Sequence, residues 1–427
     1  MNTSIVPSKA CRARPGQAGW LSRFLRRALL TKLTKLSDGH ITIIDGDERH
    51  HCGTADTTLS TTITVRDPRF WTAIALGGSV GAGASYRDGA WDCDDLTALV
   101  RILCRNRHVL DAVDGGANKL AQSARAALHW CNRNTIEGSR RNIAAHYDIG
   151  NELYERMLDP TMMYSSAVYP HAHADLASAQ EYKCELLCRK LDLFPEDHLL
   201  EIGTGWGGFA MHAAEHYNCR VTTTTISEQQ YQLACERVAA RGLADRVTVL
   251  KQDYRDLQGS YDKIVSIEMI EAVGWQFYPT FFDHCDRLLK DDGVLVMQAI
   301  TIADQEFERA KREVDFIKRF IFPGSCIPSV TALSNAATKA SSLRVTELTD
   351  ITPHYARTLA DWRDNCHAHT EELNELGYGE NFQRLWDFYL GYCEGGFAER
   401  AISVAHLTFA KPGHRQPGHT MLGYHTV

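Results

Sequence analysis

From about residue 141 onward, short apolar runs of strand length alternate with segments whose apolar positions recur at helical spacing. The strand candidates are HLLEIG, RVTTTTIS, RVTVLKQD, YDKIVSIEMI, GVLVMQAITI and ISVAHLTFA. The helix candidates are AQEYKCELLCRKLDL, GGFAMHAAEHY, EQQYQLACERVAARG and YPTFFDHCDRLLK. Strands that alternate with helices predict an α/β fold in which helices cover both faces of a parallel sheet.

The region from about residue 301 departs from this pattern, because predicted helices dominate it until the last strand candidate. We expect a helical insertion that forms a lid or a substrate pocket. Within it, FIKRFIFPG places Lys318 and Arg319 beside aromatic residues. This segment fits either a lipid headgroup contact or a lid packed on the pocket, and we favour the lid.

The N-terminal part has a different pattern, which predicts a smaller α+β domain. TLSTTITVRD alternates like a half-buried strand, and GAGASYRDGAWDCDDL reads as a turn-rich loop that ends in Asp94 and Asp95 at a helix start. We therefore divide the chain into a disordered tail (1–16), an N-terminal domain (17–110), a linker (111–140) and a second domain (141–427).

Composition limits the classes of protein to be considered. The chain has 427 residues, of which 44% are hydrophobic and 23% charged, so a sizeable folded core is expected. Its formal net charge of -7 argues against a nucleic-acid binder. The 13 cysteines are scattered without a C-x-x-C pair, which favours reduced thiols in the cytoplasm. No apolar run is long enough to span a bilayer, and no secretory signal is recognisable.

The segment WLSRFLRRALLTKLTKL, residues 20–36, combines a basic face with apolar residues at helical spacing. Such a helix can lie on an anionic membrane surface. It can equally pack on its own domain, and the pattern leaves both possibilities open.

The segment LLEIGTGWGGFA follows a predicted strand with glycines at a predicted helix start. In a doubly wound sheet, ligands bind beyond the carboxyl ends of the strands. Gly203 and Gly205 would let the backbone approach a ligand closely, and Glu201 would lie at the strand tip. The acid and the bulky Trp206 suit a cationic ligand without phosphate, such as S-adenosylmethionine, better than a dinucleotide. Asp253, at the tip of a later strand, is placed to face the adenine amino group.

Several further motifs occur in a characteristic order: MMYSSAVY, LEIGTGWGGFA, TTISEQQ, QDYRDL, SIEMIEAVG, FIKRFIFPGSCIPS and HYARTLADW. Together, over roughly residues 84–410, they resemble the cyclopropane fatty acid synthase family. GASYRDGAWDCDDL resembles the smaller, lipid-contacting domain of its two-domain bacterial members. The resemblance implies a Rossmann-like class I methyltransferase that acts on unsaturated acyl chains of membrane phospholipids. It also implies a homodimer that associates peripherally with the inner face of the membrane.

The chemistry of this family sets demands on the site. An alkene is a poor nucleophile, so the sulfonium methyl group must be aligned with it and water excluded. Methyl transfer leaves a carbocation, which aromatic faces can stabilise. Closing a cyclopropane ring then requires a base, and the resemblance implies that this base is a bound bicarbonate.

The resemblance also assigns residues to these roles. Glu271 and Tyr355 would hold the bicarbonate by their side chains, and Ser166 and Ile300 by backbone groups. Glu268, three positions before Glu271, is expected to have a structural role. The residues expected to contact S-adenosylmethionine are Tyr164, Ser165, Gly203, Gly205, Thr225, Gln230, Tyr254 and Ile267.

Three departures from the family pattern bear on the product. Gln298 stands where many members have His, and it can donate a hydrogen bond but cannot take up a charge. Ala84 replaces an acid of the first domain. Cys393 matches a cysteine proposed as an active residue, although a thiol between aromatics and glycines is usually a core residue. The alternatives to a ring are a methyl- or methylene-branched chain, or an inactive lipid-binding homologue.

No metal site is predicted. The pairs His171 with His173 and His367 with His369 lack further ligands at suitable spacing.

Overall fold

The computed structural model describes residues 20–55, 57–107 and 149–415. The predicted tail (1–16) and linker (111–140) lie outside the described residues.

The described residues of the N-terminal domain form three helices packed against a four-stranded sheet. Its sheet has the order β2-β1-β3-β4, in which β1 and β3 are parallel and the other pairs antiparallel. Asp95 caps the third helix by accepting a hydrogen bond from the Ala98 amide, which confirms the predicted helix start. The elements are α1 (Trp20–Leu33), β1 (His40–Asp45), β2 (Glu48–Gly53), β3 (Ser60–Val65), α2 (Arg69–Arg87), β4 (Trp91–Cys93) and α3 (Leu96–Arg105).

The glycine-rich stretch before β4 is helical, so the predicted loop was wrong. It forms the second half of α2, beyond a kink at Gly78, where φ is 54°. A Cβ atom at Gly83 would lie 2.2 Å from the ring of Phe316 in the second domain. At this position, glycine therefore permits close packing between the domains rather than a turn.

The second domain is built on a seven-stranded sheet with the order β10-β11-β9-β8-β5-β6-β7. Its strands are β5 (His198–Ile202), β6 (Arg220–Thr225), β7 (Val247–Lys251), β8 (Tyr261–Ile267), β9 (Leu289–Ile302), β10 (Arg344–Asp350) and β11 (Ile402–Ala410). Its helices are α4 (Asn151–Met157), α5 (Leu176–Leu191), α6 (Gly208–Tyr217), α7 (Glu228–Ala240), α8 (Ile270–Val273), α9 (Tyr278–Leu288), α10 (Asp304–Ala310), α11 (Val330–Ala340), α12 (Thr352–Ala368), α13 (Thr370–Glu375) and α14 (Glu380–Ala398).

All six predicted strands are present, and β5 to β9 are parallel as expected. The sheet is not entirely parallel, however, because β11 pairs antiparallel with both β9 and β10. The sequence analysis missed β10, because this edge strand is exposed along almost its whole length and shows no alternation of apolar residues.

The strand order reverses between β5 and β8, since β6 and β7 lie to one side of β5 and β8 and β9 to the other. Such a switch point opens a crevice at the carboxyl ends of the strands. The segment between β9 and β11 covers this end with helices and a short π-helix, Ile317–Ile321.

Hydrogen bonds between side chains join α3 of the N-terminal domain to α14 of the second domain. Arg101 and Arg105 both donate to Glu399, the residue that follows α14, and Thr97 donates to Glu394 within the helix. A Cβ atom at Gly395 would lie 2.6 Å from the Cβ of Val100, so the two helices are in close contact. Across the described parts of the chain, every helix is too short or too polar to cross a membrane.

Candidate active site

A cavity of ≈ 390 Å³ lies at the carboxyl ends of β5, β6, β8 and β9. Its other walls come from α12, α14 and the segment that contains the π-helix. Val100 and Cys104 of α3 also line it, so the N-terminal domain contributes to the same cavity.

The predicted site residues converge on this cavity. Only Ser166 and Gln298 are absent from its lining, and both are hydrogen-bonded to a residue that belongs to it. The predicted residues that line it are Tyr164, Ser165, Glu201, Gly203, Gly205, Thr225, Gln230, Asp253, Tyr254, Ile267, Glu271, Ile300, Tyr355 and Cys393.

The glycine turn after β5 leaves room for a ligand. Gly203 and Gly205 have φ values of 105° and 51°, which favour glycine over other residues. No atom lies within 4 Å of the position that a Cβ at Gly205 would take. The backbone is therefore open to a ligand at this point.

The neighbouring strand tips supply polar groups to the same end of the cavity. The Thr225 hydroxyl donates to Gln230 Oε1 at 2.8 Å. The Tyr254 hydroxyl is buried and has no hydrogen-bond partner among the described residues. Asp253 is paired with the guanidinium group of Arg255, so its expected contact with an adenine stays a prediction. These groups and the open glycine turn fit an adenosine-containing ligand.

Glu201 lies at the tip of β5 with its carboxyl group almost fully buried. It accepts a hydrogen bond of 2.6 Å from the Thr223 hydroxyl. Burial raises the pKa of Glu201 to about 8. A cationic ligand in the cavity would stabilise its ionised form.

Glu268, for which a structural role was expected, lines the cavity, and its carboxylate connects three of the predicted catalytic groups. Its Oε2 accepts from the Tyr355 hydroxyl at 2.6 Å. Its Oε1 accepts from the Ser166 amide at 2.8 Å and from Gln298 Nε2 at 2.7 Å. The sequence offered one signal for a residue of the site, namely an acid at the carboxyl end of a predicted strand. The φ of 49° that Glu268 adopts there could not be predicted from the sequence.

Glu271 lies beside Glu268 and binds another of the predicted groups. Its Oε1 accepts a hydrogen bond from the Ile300 amide. Its Oε2 is buried and has no partner among the described residues. Burial, together with the charge of Glu268, raises the pKa of Glu271 to about 8.

A bicarbonate ion does not fit this arrangement. The three donors predicted to hold it, on Ser166, Ile300 and Tyr355, are already bonded to carboxylates of the chain itself. A further anion would also face the Glu268 carboxylate, which disfavours its binding.

A buried lysine, which the sequence analysis also missed, stands behind these acids. Lys183 of α5 is fully buried and donates a hydrogen bond of 2.8 Å to Ser165 Oγ. Burial lowers its pKa, and Glu268, Asp159 and Glu201 oppose that change. Lysine is rarely buried without charged neighbours, so its position matches the cluster of acids.

Aromatic side chains form much of the remaining wall. The ring of Tyr355 stacks on Phe397 with centroids 4.3 Å apart. The hydroxyls of Tyr164 and Tyr389 lie 2.9 Å apart. Aromatic faces in a cavity that excludes water can stabilise a cation.

The structure does not support the functional roles considered for Cys393 and Lys318. Burial raises the pKa of the Cys393 thiol far above its ordinary value, so the structure gives no support to a nucleophilic thiolate. Lys318 is buried and donates to backbone carbonyls of Ala310 and Glu313, which excludes it from a headgroup contact. Since Ile317 and Phe322 line the cavity, this segment is a lid, as favoured.

Comparison with known proteins gives a consistent result. The sequence model of the mycolic acid cyclopropane synthetase family matches residues 135–407. The chain belongs to this family. It is therefore a methyltransferase enzyme with a Rossmann-like fold.

Members of the family with known activities resemble it over most of their length. The cyclopropane-fatty-acyl-phospholipid synthase of Escherichia coli is 35% identical over 82% of this chain and 87% of its own. The tuberculostearic acid methyltransferase UfaA1 of Mycobacterium tuberculosis is 34% identical over 80% of this chain and 81% of its own.

Solved structures of the family resemble part of the chain. The cyclopropane synthase MmaA2 from Mycobacterium tuberculosis matches 64% of this chain and 98% of its own, with a TM-score of 0.60 and 29% identity. The mycolic acid cyclopropane synthase CmaA1, complexed with SAH and CTAB, matches the same shares with a TM-score of 0.60 and 31% identity.

Proposed function

We propose that the protein transfers a one-carbon unit from S-adenosylmethionine to the double bond of an unsaturated acyl chain in a membrane phospholipid. We further propose that Glu268 takes the proton that the reaction releases. The observation that carries this proposal is the Glu268 carboxylate, which occupies two of the three donors predicted for bicarbonate.

The end of the cavity formed by the strand tips suits the methyl donor. S-adenosylmethionine supplies, when bound, an electrophilic methyl group on a sulfonium. Glu201 offers a carboxylate to its positive charge, and Gly205 leaves space beside the backbone. The Tyr254 hydroxyl offers a free hydrogen-bonding group. The related CmaA1 structure, which contains SAH, supports this assignment.

The aromatic part of the cavity suits the acyl chain and its cation. When the alkene attacks the methyl carbon, the carbon–sulfur bond breaks and a positive charge is left on the acyl chain. The rings of Tyr164, Tyr355 and Phe397 line the cavity and can stabilise this charge without forming a bond to it.

The Glu268 carboxylate is suited to accept a proton. Burial raises its pKa, which makes it a stronger base than an exposed carboxylate. The three hydrogen bonds that it accepts keep it in place and favour its ionised form. Because Oε2 accepts from Tyr355 alone among these donors, it has a lone pair left for the proton.

Two products are compatible with loss of a proton from the transferred methyl group. If the methyl carbon bonds to the cationic carbon, the product is a cyclopropane ring. If a hydride first moves to that carbon from its methyl-bearing neighbour and the methyl group then loses a proton, the product is a methylene branch on the acyl chain. The likeness to a tuberculostearic acid methyltransferase favours the branched product as the second candidate.

The purified protein, incubated with labelled methyl donor and vesicles of mono-unsaturated phospholipid, is expected to label the lipid. Catalytic hydrogenation followed by mass spectrometry separates a ring from a methylene, since only the alkene readily takes up hydrogen. Unlabelled lipid, with donor binding intact, would favour an inactive lipid-binding homologue.

The role of Glu268 is tested by Glu268→Gln and Glu268→Gly. We expect Glu268→Gln to lower turnover about a hundredfold or more while donor affinity by calorimetry is retained. In Glu268→Gly the vacated donors should accept bicarbonate, so added bicarbonate should partly restore turnover. A wild-type enzyme that requires bicarbonate would contradict the proposal.

A further inference from the structure

His406 and Gln298 lie directly opposite each other on β11 and β9. Both side chains are buried, with exposed fractions of 1% and 0%. His406 Nε2 is 2.9 Å from Gln298 Oε1. Many relatives are expected to have a histidine at the position of Gln298. In this chain the imidazole lies on the adjacent strand, opposite that position.

The hydrogen bonds of Gln298 determine which way its amide points. Gln298 Nε2 lies 3.0 Å from the Ser166 carbonyl oxygen and 2.7 Å from Glu268 Oε1. Both of these groups are acceptors, so only the NH₂ end of the amide can face them. Gln298 Oε1 must therefore point to His406, and it must accept a hydrogen bond there.

This geometry also determines the tautomer of His406. To donate to Gln298 Oε1, the ring must carry its proton on Nε2. Nδ1 is then an acceptor, and among the described residues it has no partner. Burial lowers the pKa of His406 to about 3, and the charges of Lys190, Lys183 and His354 act in the same direction. The imidazole is thus neutral at physiological pH.

We propose that His406 is a positioning residue, whose Nε2–H holds the Gln298 amide so that Gln298 donates to Glu268. Without this donor, the amide can rotate and present its oxygen to the Ser166 carbonyl and the Glu268 carboxylate, which would repel Glu268. The inference rests on the proposed function only in that Glu268 is the proton acceptor.

A double-mutant cycle tests this role. His406→Phe keeps a ring of similar size but removes the donor, and Gln298→Met removes the amide. We expect His406→Phe to lower the turnover number about tenfold with the KM for the methyl donor unchanged. In the Gln298→Met background, the same substitution should have almost no further effect, because no amide remains to be oriented.

If His406 had a purely structural role, the effects of the two substitutions on the turnover number would multiply in the double variant. This result would overturn the inference. His406→Gln, which can donate from its amide, should recover turnover to within about threefold of wild type. If His406→Phe does not fold, His406→Leu replaces it in the cycle, and failure of His406→Gln to recover turnover contradicts the role by itself.

The pH profile gives a second readout. Loss of the Gln298 hydrogen bond removes one group that lowers the pKa of Glu268, so the acid limb of turnover should move to higher pH in His406→Phe. The other groups that act on Glu268 are Tyr355, the Ser166 amide, Lys183 and the neighbouring Glu271.

The two proposals fail in different ways. Full activity of Glu268→Gln would remove Glu268 as the base, whatever the cycle shows. Multiplying effects in the cycle, together with an inactive Glu268→Gln, would reject the role of His406 and leave the proposed function intact.

Discussion

At the scale of single residues, three carboxyl groups line the cavity, and a buried ammonium group lies near two of them. Glu201 and Glu271 are almost fully buried and Lys183 is completely so, whereas Glu268 is partly exposed. Burial raises the pKa of each acid and lowers that of the lysine. Burying ionisable groups in this way lowers the stability of the fold. Groups with perturbed pKa values are therefore common at functional sites, where a ligand or a reaction depends on them.

Glu201 gives a prediction about pH and stability. Its folded pKa of about 8 lies above the ordinary value of 4.5, so the stability linked to its neutral form is complete below the unfolded pKa. This stability is lost as pH rises through the folded pKa. Without the methyl donor, Glu201→Gln should therefore gain melting temperature relative to wild type between about pH 5.5 and about pH 9.

Calorimetry of both proteins across this range measures the effect. Thr223→Val, which removes the hydroxyl that donates to Glu201, is the matched control and should enlarge the loss in the alkaline range. If Glu201→Gln and wild type differed in melting temperature by the same amount at both ends of the pH range, this result would contradict the raised pKa of Glu201.

At the scale of elements, α3 is part of the site although it belongs to the other domain. Val100 and Cys104 line the cavity, and ion pairs of Arg101 and Arg105 with Glu399 hold the helix on α14. The near-contact of Val100 with Gly395 prevents α3 from moving closer. The helix is thus a fixed wall of the space proposed for the acyl chain.

A larger side chain on the cavity side of α3 should impair use of the acyl substrate and leave binding of the methyl donor unchanged. Cys104 is only partly buried, so a larger side chain can be accommodated. We expect Cys104→Trp to lower kcat/KM for the phospholipid about tenfold or more, with donor affinity unchanged. Cys104→Ala should behave like wild type. Equal turnover by both variants would exclude α3 from the acyl site.

At the scale of the whole molecule, the proposed substrate lies in a bilayer, so the proposed function requires a surface that contacts the membrane. Trp20 and Phe24 are exposed by 75% and 64%, and they share the outer face of α1 with the exposed Arg23 and Arg27. Arg26, by contrast, is paired with Asp45 and Glu48 of its own domain. We propose that the outer face of α1 contacts an anionic membrane, while its inner face packs on the domain.

Vesicle sedimentation tests this contact. Trp20→Ala combined with Phe24→Ala should weaken binding to anionic phospholipid vesicles roughly tenfold or more, because two large apolar side chains leave the membrane. Phe194→Ala is the control, since Phe194 is an aromatic residue of the other domain with an exposed fraction of 51%. Equal losses in the two proteins would exclude α1 as the membrane contact. The homodimer stays a prediction.

The sequence by itself determined the α/β pattern, the glycine turn at Gly203 and fourteen of the residues that line the cavity, most of them through the resemblance of short motifs to a known family. These features depend on local periodicity and on short motifs, which remain visible along one chain. It also indicated the cap at Asp95 and the basic character of α1, for the same reason.

Only the tertiary structure decided the hydrogen-bond partners of Glu268, the pairing of Gln298 with His406 and the entry of α3 into the cavity. Each depends on groups that are distant in sequence: Glu268 is 102 residues from Ser166 and 87 from Tyr355, and Gln298 is 108 from His406. Whether a buried carboxylate is structural or chemical depends on which donors and charges the fold brings to it, and local sequence does not contain that information.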